Sequence, residues 1–291
     1  MSKTTLSWLI LLGLALTWGS SYILIKRGLI AFSPEQLAGL RISISAIAFF
    51  PIFWYNRKQV DWSRWQFFLI VGLAGSALPA FLFATAQTQL SSSMAGMLSS
   101  LTPLFTLLLG VAFFGVPFDW GRTLGILTGL VGAVILVASG GGGIQGEDTP
   151  WGYALLVIAA TAMYATSSNT VQRYLKGQSS VVISSVAFFL VGPLGFFFLI
   201  YTDFINTMQT HPAAWSSLGY ITVLALLGTV LASMFFFRLV QLRDAIFASI
   251  VSYLVPVVAM IWGLWDQEGL RWIQVAGTAL IMIGVYVSRK R

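Results

Sequence analysis

The side chains that usually break and make bonds are scarce in this 291-residue chain. It has no cysteine, one histidine (His211) and nine Asp and Glu, which excludes a disulfide framework, a thiolate metal site and a Cys/His nucleophile. No acid falls within inferable reach of His211, and Asp266 and Glu268 share one short turn, a poor active site for a lipid-acting membrane enzyme. No G-x-x-x-x-G-K-[ST] run supplies a phosphate loop, so ATP hydrolysis is excluded. Gly141-Gly142-Gly143-Ile144-Gln145-Gly146 meets the G-x-G-x-x-G spacing without the strand and helix that a dinucleotide site needs, and reads as a flexible linker. No catalytic residue, metal ligand or cofactor is therefore expected. What the chain does place inside apolar stretches is hydroxyls, aromatic rings and prolines: Ser20, Ser21, Ser99, Thr102, Thr166, Ser167 and Ser252, with Trp18, Tyr22 and Tyr164, and with Pro103 and Pro256. A mid-helix proline removes a backbone donor and frees a carbonyl. These groups can hold the polar ends of a small molecule without reacting with it, although each hydroxyl can also bond back to its own helix.

The elements that carry these residues follow from composition. The chain is 57% hydrophobic, 14% aromatic and 9% charged, with a mean hydropathy of +0.86. A soluble domain carries about 25% charged residues, so water is not the main solvent here. A bilayer core about 30 Å thick takes about 20 apolar residues at helical rise. Ten candidate spans reach that length, at 5–26, 34–56, 65–86, 93–114, 121–139, 150–172, 180–202, 214–237, 245–265 and 270–288. The first is a retained span rather than a secretory signal, since no small-x-small cleavage site follows it. The fold class predicted is all-α integral membrane.

Charge sets the orientation. With the N-terminus cytoplasmic, twelve of the sixteen Lys and Arg fall on inner segments, three (Lys26, Arg27, Arg271) on outer ones, and Arg41 lies within a span. That bias places both termini in the cytoplasm. The +7 net charge thus reads as orientation information, with no nucleic-acid partner.

The chain also repeats itself. Gly75-Ser76-Ala77-Leu78 lies over Gly228-Thr229-Val230-Leu231 at an offset of 153, and the same offset carries Ala95, Ser99, Pro103 and Gly110 onto Ala248, Ser252, Pro256 and Gly263. Trp18-Gly19-Ser20-Ser21 pairs with Tyr164-Ala165-Thr166-Ser167 at an offset of 146, and Arg27 with Arg173. Residues 1–139 and 150–291 then form two five-span repeats around a Gly-rich linker, 140–149. Five is odd, so the second copy is inverted, the architecture of secondary transporters with a site near the midplane.

On these residues the chain resembles the drug/metabolite transporter superfamily, EamA type, and within it the YddG-type amino-acid exporters. The resemblance rests on Trp18-Gly19-Ser20-Ser21, on Ser99 to Pro103 with Phe105 and Gly110 and their counterparts Ser252 to Pro256 and Gly263, and on Gly125 and Gly132 with Gly277 and Gly284. It implies a ten-helix carrier of the bacterial inner membrane that exports amino acids, including aromatic ones, and related small metabolites. A drug, nucleotide-sugar or organic-cation carrier of the same fold is the alternative. Tyr164 in place of a second Trp, and Ala232 in place of Pro79, suggest that the halves gate unequally.

The expected cavity residues are Trp18, Ser21, Tyr22, Leu78, Leu82, Ser99, Leu101, Met163, Tyr164 and Ser252, where Leu and Met would make an adaptable apolar wall or serve as plain core. Pro103 with Gly110 and Pro256 with Gly263 are the expected hinges, against static kinks. Gly121, Gly125, Gly129, Gly277 and Gly284 form small-residue ladders for close helix packing, within the chain or at a dimer seam. Arg41 sits roughly 10 Å past Pro34, where an intramembrane charge is a functional candidate, but its long stem is expected to snorkel outward toward Glu35 or the headgroups. Lys26, Arg27 and Arg173 read as interfacial anchors. With no centrally buried acid, a carboxylate proton or sodium site of the usual kind is not expected, and export runs down a gradient or is coupled through groups the sequence does not identify. The partners predicted are a small-molecule substrate and the lipid bilayer, for a monomer or weak homodimer.

Overall fold

The computed structural model describes residues 3–117, 120–138, 150–269 and 271–289, and among them every regular element is helical. The long helices in chain order are α1 (Lys3–Gly28), α2 (Pro34–Asn56), α3 (Trp62–Ala86), α4 (Ser92–Phe113), α5 (Trp120–Ala138), α6 (Trp151–Tyr174), α7 (Ser180–Tyr201), α8 (Ala214–Leu242), α9 (Ala245–Trp265) and α10 (Trp272–Arg289). Eight of them, all but α5 and α10, are long and apolar enough to cross a membrane by their described residues. The Gly-rich linker expected at 140–149 lies outside the described residues.

Capping chemistry sets the helix starts. α2 opens on a capping box, with Ser33 Oγ accepting from the Gln36 N–H at 3.3 Å and Gln36 Oε1 accepting from the Ser33 N–H at 3.1 Å, while Pro34 needs no donor in that first turn. Ser91, Ser179 and Asp244 cap α4, α7 and α9 through the N–H groups of Met94, Val182 and Phe247.

Four helices that the apolar pattern presents as unbroken are interrupted. α3 contains a π segment at Leu73–Ala77 and α8 another at Leu226–Leu231, beginning 153 residues apart. In α3 the cause lies two residues on: Pro79 has no N–H for the Gly75 carbonyl, and widening relieves its ring clash. α8 has Ala232 there, and its freed Gly228 carbonyl accepts instead from Trp18 Nε1 at 2.9 Å. α4 breaks at Ser100–Leu101 just before Pro103, and α9 breaks at Ile250 ahead of Pro256.

Packing follows the same pairing as the sequence. α2 lies along α7 and α5 along α10, while α1 meets α8 and α9 as α6 meets α3 and α4. Glycines permit the α5–α10 contact: a Cβ on Gly132 would lie 2.8 Å from the Gly277 carbonyl oxygen, and one on Gly284 2.6 Å from that of Gly125. This glycine ladder thus closes a seam inside the chain. Leu9, Leu12, Leu16, Ile47, Phe197 and Ile200 cover the outside, and Tyr201, Trp215, Trp265 and Trp272 stand exposed at helix ends. Such a surface suits lipid tails with an aromatic belt at their edge.

Candidate functional site

A cavity of about 100 Å³ lies where α1, α8 and α9 face α3, α4 and α6, with room for several waters or one compact solute. Its walls come from residues that the sequence offsets pair. Trp18 tilts against Phe236 with ring centroids 5.1 Å apart, and Tyr164 stacks on Phe83 at 6.0 Å. Trp18 is paired with Tyr164 at an offset of 146, and Phe83 with Phe236 at 153. Each π segment brings a glycine against a serine of the opposite half. A Cβ on Gly228 would come within 2.9 Å of Ser21 Oγ, and one on Gly75 would overlap Ser167 Oγ. Ser99 and Ser252 line the cavity beside the two helix breaks.

Of the ten expected cavity residues, Trp18, Ser21, Tyr22, Ser99, Tyr164 and Ser252 stand in the lining, and Leu78, Leu82, Leu101 and Met163 do not. Leu78 faces outward at 39% exposure, whereas Leu101 is core and Leu82 packs against core. Several hydroxyls bond their own helix, Ser21 to the Thr17 carbonyl at 3.0 Å and Ser99 to that of Gly96 at 2.6 Å. Ser20 donates to the Leu16 carbonyl and also accepts from Trp262 Nε1, each at 2.8 Å. Ser167 Oγ is buried and has no hydrogen-bond partner among the described residues. Pro103 lies in the lining helix at the first turn after the α4 break, and Pro256 lies inside the second part of α9. Gly110 and Gly263 sit at close approaches, to Val116 and Asn169 and to Ser93 and Glu268 respectively.

Arg41 corrects the snorkelling expectation. Its side chain turns inward, is 9% exposed, and lines the cavity. Its Nε donates to Thr229 Oγ1 at 2.7 Å, on the π segment of α8, and Tyr164 lines the same cavity. Thr229 Oγ1 in turn donates to the Leu224 carbonyl at 3.4 Å. No other lining residue is charged, and among the described residues no carboxylate lies within 4 Å of Arg41. A cation at the centre of a spanning helix costs about 2.5–3.5 kcal/mol on insertion scales, and here hydroxyls and a wet cavity offset it. The sequence marks the depth of Arg41 along α2 but not the side toward which it points. Thr229, Gly75, Ser76, Gly228, Phe83 and Phe236 were missed as lining, although the Gly-Ser over Gly-Thr match already set two of these pairs apart.

At one end of the bundle, charges at the end of α1 pair with acids in the turn after α9. Lys26 Nζ lies 2.6 Å from Asp266 Oδ2 and 2.9 Å from Glu268 Oε1, and Arg27 pairs with Asp266. Glu268 also accepts from the N–H groups of Ser92 and Ser93 and from the Ser93 hydroxyl, capping α4. Burial raises the Glu268 carboxyl, and Lys26 and Ser93 outweigh it, leaving the group below its ordinary value of 4.5. Lys26 and Arg27, expected as interfacial anchors, are therefore ion-paired. At the other end Gln172, the repeat partner of Lys26, accepts from the Ala245 N–H at 2.6 Å, and Arg243 reaches Thr4 and Ser7.

Comparison with known proteins agrees with this architecture. The chain is 26% identical over 280 residues to a "Probable amino-acid metabolite efflux pump" of Escherichia coli (strain K12), covering 93% of this chain and 90% of that one. It is 25% identical over 261 residues to an "S-adenosylmethionine/S-adenosylhomocysteine transporter" of Chlamydia muridarum (strain MoPn / Nigg), covering 86% and 80%. A solved crystal structure shares the fold at a TM-score of 0.67 and 18% identity, over 99% of this chain and 97% of that one. The model of the EamA-like transporter family matches residues 5–138 and again 151–289. The apolar helices, the cavity between them and this double match make the chain a member of the EamA-like transporter family, a multi-pass transporter of the bacterial inner membrane.

Proposed function

We propose that this carrier exports amino acids, aromatic ones included, and related small metabolites by alternating access. With that goes a proposed architecture of ten transmembrane helices in two inverted five-helix repeats, 1–139 and 150–291, joined by the linker 140–149, with both termini cytoplasmic. The observation that carries the reading is the matched lining: Trp18 on Phe236 and Tyr164 on Phe83 give each half an equivalent share of one cavity. Two equivalent halves around one site offer two gates, which alternating access requires. Lys26, Arg27, Asp266 and Glu268 then form the outer gate and Gln172 with the start of α9 the inner one. Pro103 and Pro256 are the flexure points, while Gly110 and Gly263 let neighbouring segments approach closely.

Apolar and aromatic walls accept many side chains, in line with the name of the Escherichia coli relative. No cofactor or nucleic acid takes part, and the carrier works as a monomer or weak homodimer. The test is exchange of radiolabelled amino acids by purified protein in liposomes. Movement of a dye or nucleotide sugar without any amino acid would overturn the reading. The Chlamydia relative's name favours a second reading, a carrier of nucleoside-bearing metabolites, which exchange of S-adenosylmethionine alone would establish.

A further inference from the structure

We infer that Arg41 is the carboxylate-binding residue of the cavity, and that a carboxylate is required of the substrate whereas an α-ammonium group is not. The inference rests on the cavity being the transport site and goes further in naming what is recognised there. Arg41 is the single charged side chain of the lining, held by Thr229 at 2.7 Å through Nε alone. Its Nη groups form the planar fork that matches two carboxylate oxygens. Tyr164, on α6, lines the same cavity, so Arg41 of the first half faces Thr229 and Tyr164 of the second. No carboxylate of the described residues neutralises it, which leaves the cavity a place of positive potential inside a low-dielectric wall.

A second observation points to the same ligand. Ser167 Oγ is 2% exposed, lines the cavity and has no hydrogen-bond partner. A buried hydroxyl is seldom left unsatisfied, and an anionic oxygen in the cavity would accept its proton. For an ammonium the lining holds no acid at all. Only neutral hydroxyl and carbonyl oxygens are there to receive it, with no charge to pair it. Loss of the amine should therefore cost little, and loss of the carboxylate much.

Isothermal titration of the purified full chain with phenylalanine, phenylalaninamide and 3-phenylpropionate tests this without a variant. The amide is expected to bind roughly 10- to 100-fold more weakly than phenylalanine, the worth of a charge-assisted pair. The deaminated acid is expected within about threefold of phenylalanine. Equal binding of amide and acid, or binding of the amino acid alone, overturns the inference. Arg41→Gln should weaken both acids by the same factor and leave the amide unchanged, and an unaltered acid affinity overturns it as well. Should Arg41→Gln not fold, Arg41→Lys, which keeps the charge and loses the fork, replaces it with the same expected order. If 3-phenylpropionate binds while liposomes exchange no amino acid, the amino-acid reading fails and the carboxylate site stands.

Discussion

Glu268, in the turn after α9, accepts from both the N–H and the hydroxyl of Ser93 at the start of α4, at 2.9 and 2.7 Å. The same carboxylate lies 2.9 Å from Lys26 at the end of α1. One acid thus caps a helix and clamps two others to it, in a site where its side chain is 6% exposed. A cap is worth about 1 kcal/mol, and truncating one partner of a buried pair costs more.

Glu268→Gln keeps an acceptor for Ser93 and removes one of the two carboxylates that pair with Lys26, leaving Asp266. The chain is expected to fold and the clamp to loosen. Because the natural chain has no cysteine, a single cysteine at Ser252 reports access cleanly. Its labelling by an impermeant maleimide applied from the Glu268 side should speed up several-fold, and an unchanged rate would contradict the gate.

Acid should loosen the same clamp. A carboxyl held below its ordinary 4.5 stabilises the folded contact above that pH and loses this contribution as pH falls through the folded-state value. The distance between spin labels at Ile30 and Leu264 is expected to stay constant from about pH 8 to about pH 5 and to lengthen below about pH 4.5. In Glu268→Gln the acid lengthening should vanish. A transition near neutrality would point to another group.

Gly263→Ala tests whether the clamp needs the space a glycine leaves. Its Cβ would overlap the Ser93 side chain and come within 2.7 Å of Glu268 Oε2. Displacement of either should cost about 1–3 kcal/mol and raise labelling at position 252 as Glu268→Gln does. Since both changes act on one contact, the double variant should be no more accessible than the worse single one.

Pro103→Ala combined with Pro256→Ala restores two backbone donors, one just after the break at Ser100–Leu101 and one inside the helix that follows the break at Ile250. Continuous helices are expected to be stiffer, with exchange in liposomes slowed roughly threefold or more if flexure gates turnover. Unchanged exchange together with unchanged labelling from both sides would make the prolines static kinks.

Helix positions were legible because about 20 apolar residues between polar turns leave little choice, and Ser33-Pro34, Ser91, Ser179 and Asp244 announce the starts by their capping chemistry. The glycine ladder of α5 and α10 was legible for a similar reason, since spacing alone defines a close face. The lining was less so. Leu78 and Leu82 share a face by helical spacing, yet the π segment ending at Ala77 adds a residue and turns that face by about 100° relative to the helix before it. Nothing in the composition of Leu73–Ala77 announces this widening. The direction of Arg41 depends on Thr229, 188 residues away, a relation that local pattern does not contain.

The lone positive charge of the cavity bears on what would drive the proposed export. A bacterial cytoplasm is electrically negative, and moving one elementary charge through 100 mV is worth about 2.3 kcal/mol. An amino acid that crosses as a zwitterion moves no net charge and follows its concentration alone. A deaminated acid carried on Arg41, as proposed, would leave with one negative charge, so the membrane voltage itself would drive it outward, whichever way round the chain is inserted.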